Sequence, residues 1–397
     1  MINQMAKKIN DAGGRLYLVG GAIRDEIMNI KSEDLDFCIT GLDENDLYNL
    51  FKDIKKVGSS FPVYIINSYE CALARKETKI KTGHKGFKFD TSKEITIYDD
   101  LKRRDITINA IAKDVITNEI IDPFNGIEDI KNHIIRHISN SFCEDGLRVY
   151  RVARFSAKYN FKVDVETIKL MSKLKDEIKY LKNERIFEEL KKALKTYHPS
   201  NFFNCLINSD ILDIHFFELN FLFKQNKTLF NNLMKSLDEI VKYTKDDSVI
   251  FSILSLGTYL LNINDISIIN LCKRLNLPKK YILYSQDISN YLDKAINFNN
   301  LNNYEKIILL NKLKKSHIGI QNFEIILNIY FKFFENPKFL KKDFDLLNLS
   351  ISIFTKINGK TLNDNGIYSN KIGYKKFLDI LYKKQTEYID LLTKNNK

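Results

Sequence analysis

The hydrophobic pattern of the chain changes character once, near Leu147, and that change restricts it to a two-part architecture. Before Leu147, short apolar runs alternate with helical stretches. Leu16-Tyr17-Leu18-Val19 is an apolar run ending in Gly20-Gly21, which reads as a strand feeding a tight turn. Ala22 to Met28 then has helical spacing, and Leu35 to Thr40 reads as a second strand. Phe61 to Ile66, Glu70 to Ile80 and Glu94 to Tyr98 read as further strands, so the pattern predicts a sheet backed by helices. Beyond Leu147 glycine becomes rare and strand alternation fades. Apolar residues recur at helical spacing, as in Glu184 to Tyr197 and Asn201 to Ile207. From there on the chain reads as helices joined by short polar loops, with Pro199, Pro278 and Pro337 at helix boundaries. No internal repeat of fixed period is present.

A chain of 397 residues buries cores large enough to need no disulfide or metal staple. Its hydrophobic fraction of 44% and charged fraction of 28% are those of a globular protein rather than a disordered one. Cys38, Cys71, Cys143, Cys205 and Cys272 are widely spread and form no CxxC pair. Neither a zinc site nor a disulfide framework is expected, and an odd count without a secretion signal fits a reducing cytoplasm. Met1 to Asn10 is polar, and no run of about 18 apolar residues occurs, so no membrane span is expected. The formal charge of +12 favours polyanionic partners, nucleic acid or an anionic membrane surface. Heavy use of Lys, Asn and Ile by a biased genome accounts for the same balance.

Ser32-Glu33-Asp34-Leu35-Asp36-Phe37 is the most informative local feature. Residues two apart on a strand share a face at a spacing of about 6–7 Å, so Asp34 and Asp36 present paired carboxylates. Such a pair repels itself unless a cation sits between. Hard divalent ions such as Mg²⁺ take oxygen ligands and keep positions open for substrate phosphates. An isolated acidic pair is usually the mark of a solvated loop, and context separates the two. The upstream Gly20-Gly21 turn permits close approach to a phosphate, although a plain strand-to-helix connection needs the same glycines. Arg24 lies one turn into the following helix and reaches toward the same anion. Glu77 is the candidate third carboxylate for the activating metal, on a strand whose alternating Glu and Lys also suit a solvated face.

Two arginine elements come next. Lys102-Arg103-Arg104-Asp105-Ile106-Thr107-Ile108-Asn109-Ala110 places bases ahead of an apolar helix, where the helix dipole prefers acids. A nearby anion rationalises the arrangement, with Arg104 as a triphosphate clamp. In Glu144-Asp145-Gly146-Leu147-Arg148-Val149-Tyr150-Arg151, helical spacing puts Asp145, Arg148 and Arg151 on one face. A surface ion-pair stripe has this spacing too. A carboxylate and a guanidinium held together also imitate a pairing partner for cytosine or adenine, each of which shows an amino donor beside a ring acceptor.

These residues resemble the class II tRNA nucleotidyltransferases, relatives of bacterial poly(A) polymerases. The resemblance runs through Leu18-Val19-Gly20-Gly21-Ala22-Ile23-Arg24-Asp25, Asp34-Leu35-Asp36, Arg103 to Ala110, Ile121-Asp122-Pro123-Phe124-Asn125-Gly126 with Asp129, Glu144-Asp145 with Arg148, and Glu184-Arg185-Ile186 with Glu188-Glu189-Leu190. Ordered matches in series are far more specific than any one motif. Phe61-Pro62-Val63 through Gly83-His84-Lys85-Gly86-Phe87, and Asp99-Asp100-Leu101, resemble the CCA-adding branch in particular. The family commonly has Pro where this chain has Gly146, and glycine there would loosen the helix start. Ile357 to Leu362, Gly366-Ile367 and Ile372-Gly373 resemble a tail element. Phe221 to Thr355 shows no motif, and no adjacent His-Asp pair marks a phosphohydrolase domain.

The resemblance implies an α+β nucleotidyltransferase head with a mixed sheet, at 1–138, followed by an all-α neck at 139–215, body at 216–355 and tail at 356–397 that contacts tRNA. It implies template-independent addition of CCA to tRNA from CTP and ATP with release of pyrophosphate. Asp34 and Asp36 would hold Mg²⁺, with Glu77 as the third catalytic carboxylate. Gly20, Gly21, Arg24, Arg104, Asp105, Asn109, Asp145, Arg148 and Arg151 would bind the nucleotide. A loop near Thr82 to Asp90 is implied in the switch from C to A. A poly(A) polymerase, a CC-only or A-only enzyme, and a catalytically silent RNA-binding protein on the same scaffold are the alternatives. A monomer is the simpler expectation for assembly.

Overall fold

The computed structural model describes residues 1–31, 35–58, 62–79, 87–261, 267–334 and 346–395. Asp34, Ile80 to Gly86 and Pro337 therefore lie outside the described residues. Two compact units are present: Met1–Glu189 with Asn201–Ile211, and Leu190–Ser200 with Leu212–Lys397.

The first unit is built on a mixed sheet. Its strands are β1 (Arg15–Val19), β2 (Asp36–Thr40), β3 (Lys55–Val57), β4 (Val63–Ile66) and β5 (Tyr69–Leu73). Next come β6 (Lys76–Lys79) and β7 (Phe87–Asp90), which pair with each other, and then β8 (Ala112–Asp114) and β9 (Ile120–Ile121). The sheet order is β3-β4-β5-β2-β1-β8-β9. Strand β1 pairs antiparallel with both β2 and β8, whereas β2 and β5 run parallel. Short strands β10 (Ile134–Ile135) and β11 (Lys162–Val163) form a separate parallel pair.

Period-two alternation sorts the strand residues onto two buried faces. Leu16, Phe37, Ile39, Tyr64, Ile66, Cys71 and Leu73 pack with Met5, Ala6 and Ile9 of the helix Ile2–Asp11. Tyr17, Val19, Cys38 and Ala112 point the other way and pack with Leu101 and Ala110. Asp36, two residues before Cys38, belongs to this second face.

Three readings of the sequence are corrected by the structure. Glu94 to Tyr98 is not a strand: Thr96 and Asp99 form a capping box that starts the helix Ile97–Lys102. Glu70 to Ile80 is not one strand, because the Ala74 N–H donates to the Ile39 carbonyl at 2.8 Å and the chain then leaves the sheet as β6. The bases Arg103 and Arg104 close the helix before them rather than opening the one after, and Arg103 is its C-cap. Beyond them the chain makes only a single 3₁₀ turn, Thr107–Asn109. The Thr107 N–H donates outward to the Arg136 carbonyl at 2.9 Å, and the chain passes into β8 from Ala112.

The rest of the first unit is mainly helical. The helix Leu147–Tyr159 buries Val149, Tyr150, Val152, Ala153 and Phe155. Ser200–Asn208 and Asn183–Leu194 are further helices, the latter containing the boundary between the units. The second unit is made of helices alone among its described residues. Lys227–Ile240 packs on Ile320–Phe334, and Asn303–Lys315 on Tyr374–Asn395. Gly257 permits one close helix approach, since a Cβ there would lie 2.6 Å from Leu222 and from Leu233. Asn311 donates to Gln385 at 3.0 Å and Gln385 to the Ile357 carbonyl at 2.8 Å, which ties the C-terminal helix to its neighbours. No described helix is long and apolar enough to cross a membrane.

Candidate active site

The site is built at one end of the first sheet. The register of β1 on β2 sets Val19 opposite Asp36, so the Gly20-Gly21 turn emerges beside that carboxylate. Gly20 has φ +68° and ψ −124°, a conformation that residues with a Cβ avoid. A Cβ at Gly20 would also lie 3.0 Å from Arg104 Nη1. The turn thus carries a guanidinium directly on its surface. Asp36 itself is exposed on the face where Cys38 is buried. Burial pushes the Cys38 thiol far up, with the nearby Asp100 carboxylate adding to the effect.

Asp100 organises the arginines around it. Its side chain is almost wholly buried, and Arg103 donates to Oδ1 through Nε at 3.0 Å and Nη2 at 2.6 Å. Arg104 donates to Oδ2 through Nε at 3.3 Å and Nη2 at 3.0 Å, while its Nη1 reaches the Asn109 carbonyl at 3.1 Å. Burial alone would push the Asp100 pKa up, but the two guanidinia outweigh it and hold it down at about 2.

Asp105 is the second buried carboxylate. It accepts from its neighbour's N–H (Ile106) at 3.0 Å, from Asn109 Nδ2 at 3.0 Å and from Arg151 Nε at 2.7 Å. Its burial is outweighed by the Arg151 charge and these hydrogen bonds, which keep it ionised far below the ordinary carboxylate range. Arg24 is buried, not presented on the surface: it donates to Asp25 and to Asn109 Oδ1. Its guanidinium lies 4.9 Å from the Tyr159 ring centre, and the Tyr159 hydroxyl donates to Asp25 at 3.1 Å.

The second arginine element differs from the expected single helical face. Helix Leu147–Tyr159 carries Arg148 and Arg151, but Asp145 precedes it in an extended conformation. The reason is local: the Asp145 carboxylate accepts the Leu147 N–H at 3.0 Å across Gly146, the helix N-cap, and so stays outside the helix. Asp145 also pairs with Arg185, whose Nη2 lies 2.9 Å from Oδ2. Arg148 donates to the Ser141 and Arg103 carbonyls, each at 2.7 Å.

The structure therefore brings Gly20, Arg24, Arg104, Asp105, Asn109, Arg148 and Arg151 into one connected set with the described carboxylate Asp36 beside it. Gly21 adjoins that set, its hypothetical Cβ 3.4 Å from Arg24 Nη2. Glu77 lies on β6 opposite Phe89. The Asp122 to Gly126 motif has a structural task, since Asp122 accepts the Gly126 and Ile127 N–H groups at 2.7 and 2.8 Å. Asp100 and Arg185 were absent from the expected site. The first had a signal, because arginines three and four residues after an acid share its helix face. The second stood in the Glu184-Arg185-Ile186 motif, but its pairing with Asp145 had no signal, because it spans 40 residues.

Asp36 supplies the hard oxygen donors that a divalent cation takes, so the donor chemistry fits the metal that nucleotidyl transfer calls for. Among the described residues no group of three or more His, Cys, Asp or Glu converges, Asp34 being outside them.

The chain is similar to proteins of known activity. The family model for the Poly A polymerase head domain matches residues 16–136. A second, described as Probable RNA and SrmB- binding site of polymerase A, matches residues 160–222. A CCA-adding enzyme of Buchnera aphidicola subsp. Acyrthosiphon pisum (strain Tuc7) is 36% identical over 389 residues, covering 86% of this chain and 92% of its own. Among solved structures, a Thermotoga maritima CCA-adding enzyme complexed with tRNA aligns with a TM-score of 0.67 at 19% identity, over 97% of this chain and 90% of its own. A Bacillus stearothermophilus CCA-adding enzyme in complex with CTP aligns at 0.64 and 19% identity, over 99% and 98%. These two share the fold. The CCA-adding enzyme of Buchnera aphidicola subsp. Baizongia pistaciae (strain Bp) is 32% identical over 403 residues, 91% of this chain and 94% of its own, and on that likeness the chain belongs to the CCA-adding enzyme family.

Proposed function

We infer that this chain adds and repairs the 3′-terminal CCA of tRNA, taking nucleotides from CTP and ATP without a template strand and releasing pyrophosphate. Its membership among CCA-adding enzymes names the reaction. The observation that carries it at the site is the meeting of Asp36 with the Gly20 turn and Arg104, a cation ligand next to a phosphate ligand. Similar folds have been solved with CTP and with tRNA, which supports the same substrates here.

Asp34 and Asp36 are assigned to Mg²⁺, with Glu77 as the third carboxylate. Bound there, the ion would lower the pKa of the attacking 3′-hydroxyl and offset charge on the departing pyrophosphate. Gly20, Gly21, Arg24 and Arg104 form the triphosphate side, braced from behind by Asp105 and Asn109. Asp145, Arg148 and Arg151 form the base side. Because Asp145 and Arg148 already hold Arg185 and two carbonyls, base reading uses their remaining acceptor and donor positions or an exchange of partners. The head takes residues 1–138, the neck 139–215, the body 216–355 and the tail 356–397. Exposed Lys371, Lys375, Lys376 and Lys383 suit the tail to RNA backbone. None of the five cysteines is in a disulfide, which suits a cytoplasmic enzyme, and a monomer suffices for the reaction.

The test is product length on tRNA lacking its 3′ end, with CTP and ATP supplied separately and together. Three added nucleotides followed by arrest are expected. An open-ended A ladder would mean a poly(A) polymerase instead, and no pyrophosphate release with any RNA would mean a silent RNA-binding protein. Asp36→Ala should abolish incorporation with the circular dichroism spectrum unchanged, and wild-type turnover in that variant would remove the metal assignment.

A further inference from the structure

We propose that Asp100 is a positioning residue that sets Arg104 on the Gly20 turn and links it, through Arg103, to Arg148 on the base side. The inference rests on the nucleotidyltransferase reading above and adds a residue to it.

The geometry is that of a junction. An ionised carboxylate offers about four acceptor positions, and four N–H groups from Arg103 and Arg104 occupy them. With the side chain almost wholly buried, Asp100 has nothing left to offer a substrate. Its effect must pass through the groups it holds. One is Arg104, whose Nη1 is fixed by the Asn109 carbonyl and rests 3.0 Å from where a Gly20 Cβ would be. The other is Arg103, whose own carbonyl accepts Arg148 Nη2 at 2.7 Å. A run of contacts thus joins the turn at Gly20 to the helix Leu147–Tyr159.

Charge points the same way. Two guanidinia on one carboxylate leave a surplus of one positive charge, and both arginines keep a partly exposed edge, with 19% and 18% of the side chain accessible. A buried ion pair of equal charges would neutralise itself, whereas this triad remains attractive to a polyanion. An arginine without such a partner is flexible, and a guanidinium misplaced by an ångström no longer meets the phosphate oxygens it is shaped for.

The experiment uses the full chain and Asp100→Asn, which keeps the shape and removes the charge. CTP and ATP binding are titrated without RNA, and kcat and KM are measured with tRNA lacking its CCA end. The expected result is a loss of kcat/KM for both nucleotides of roughly 10- to 100-fold, with the KM for tRNA unchanged. In an Arg104→Lys background the same change should add less than about twofold, as expected when two residues act through one contact. Should Asp100→Asn fail to fold, Asp100→Glu carries the same expectation, because it keeps the charge and shifts both guanidinia by a methylene. Nucleotide kinetics within twofold of wild type, or effects that multiply in the double variant, would overturn the role of Asp100. If the wild-type chain binds neither CTP nor ATP, the underlying nucleotidyltransferase reading fails instead, and the two failures are distinguishable.

Discussion

At Gly20 two separate constraints act on one missing side chain. The backbone has φ +68°, and a Cβ would press on Arg104 Nη1 at 3.0 Å. Gly20→Ala should therefore destabilise the chain by about 1–3 kcal/mol through backbone strain. It should also weaken CTP binding by moving Arg104. Urea unfolding and CTP titration on the same sample separate the two effects. Gly146 is the opposite case. It has φ −56° and ψ −20°, comes after an extended Asp145, and a Cβ there would meet nothing closer than 3.6 Å. Proline fits those angles and that predecessor. Gly146→Pro, which restores the residue common in the family, is expected to keep activity and to gain about 0.4–1 kcal/mol in urea unfolding, by narrowing the unfolded ensemble. The glycine turn at the site was readable in the sequence because an apolar run leads straight into Gly20-Gly21, although a plain strand-to-helix connection has the same pattern. The helical angles of Gly146 were not, because a residue's angles depend on its surroundings.

The helices and turns show which local signals can be trusted. The Thr96 and Asp99 capping box was present in the sequence three residues apart, yet the apolar residues around it suggested a strand. Arg103 and Arg104 were read as a helix start because an apolar run comes after them. Their true partner, Asp100, lies before them, and cations at a helix C-terminus agree with its dipole. The sheet, the Gly20 turn and β2 were legible from periodicity, whereas the Asp145–Arg185 pair depends on tertiary packing that no window of sequence contains. The second unit holds a titrating element in the short helix Leu212–His215. Burial, aided by the Arg274 charge, pulls the His215 pKa from 6.5 down to about 4. A depressed pKa means that the unfolded chain binds a proton more readily than the folded one between those values. The contribution is present above about pH 6.5 and is lost as the pH falls toward 4. Urea midpoints should therefore drop between pH 7 and pH 5, and His215→Asn, whatever its stability at pH 7, should drop less.

For the whole molecule the net charge of +12 makes RNA binding a matter of ions as much as of contacts. Phosphate contacts release condensed counterions, so affinity for tRNA should fall by at least roughly 10-fold between 50 and 200 mM salt, measured by equilibrium titration. A salt-independent affinity would remove the basic helices from the RNA-binding surface. The path of the backbone has a further consequence. The first unit does not end at Glu189: it resumes with Asn201–Ile211 after Leu190–Ser200 has joined the second unit. On the returning segment Phe202, Phe203 and Leu206 are fully buried, and the Phe202 ring lies 6.2 Å from that of Tyr150, on the helix that carries Arg148 and Arg151. On the ribosome, the first unit, which carries the proposed site, stays incomplete until Ile211 has left the exit tunnel. A nascent chain released or cut soon after Glu189 would have every side chain proposed for the site and still leave Tyr150 without the Phe202 ring, so nucleotide transfer is expected only from chains that extend through Ile211.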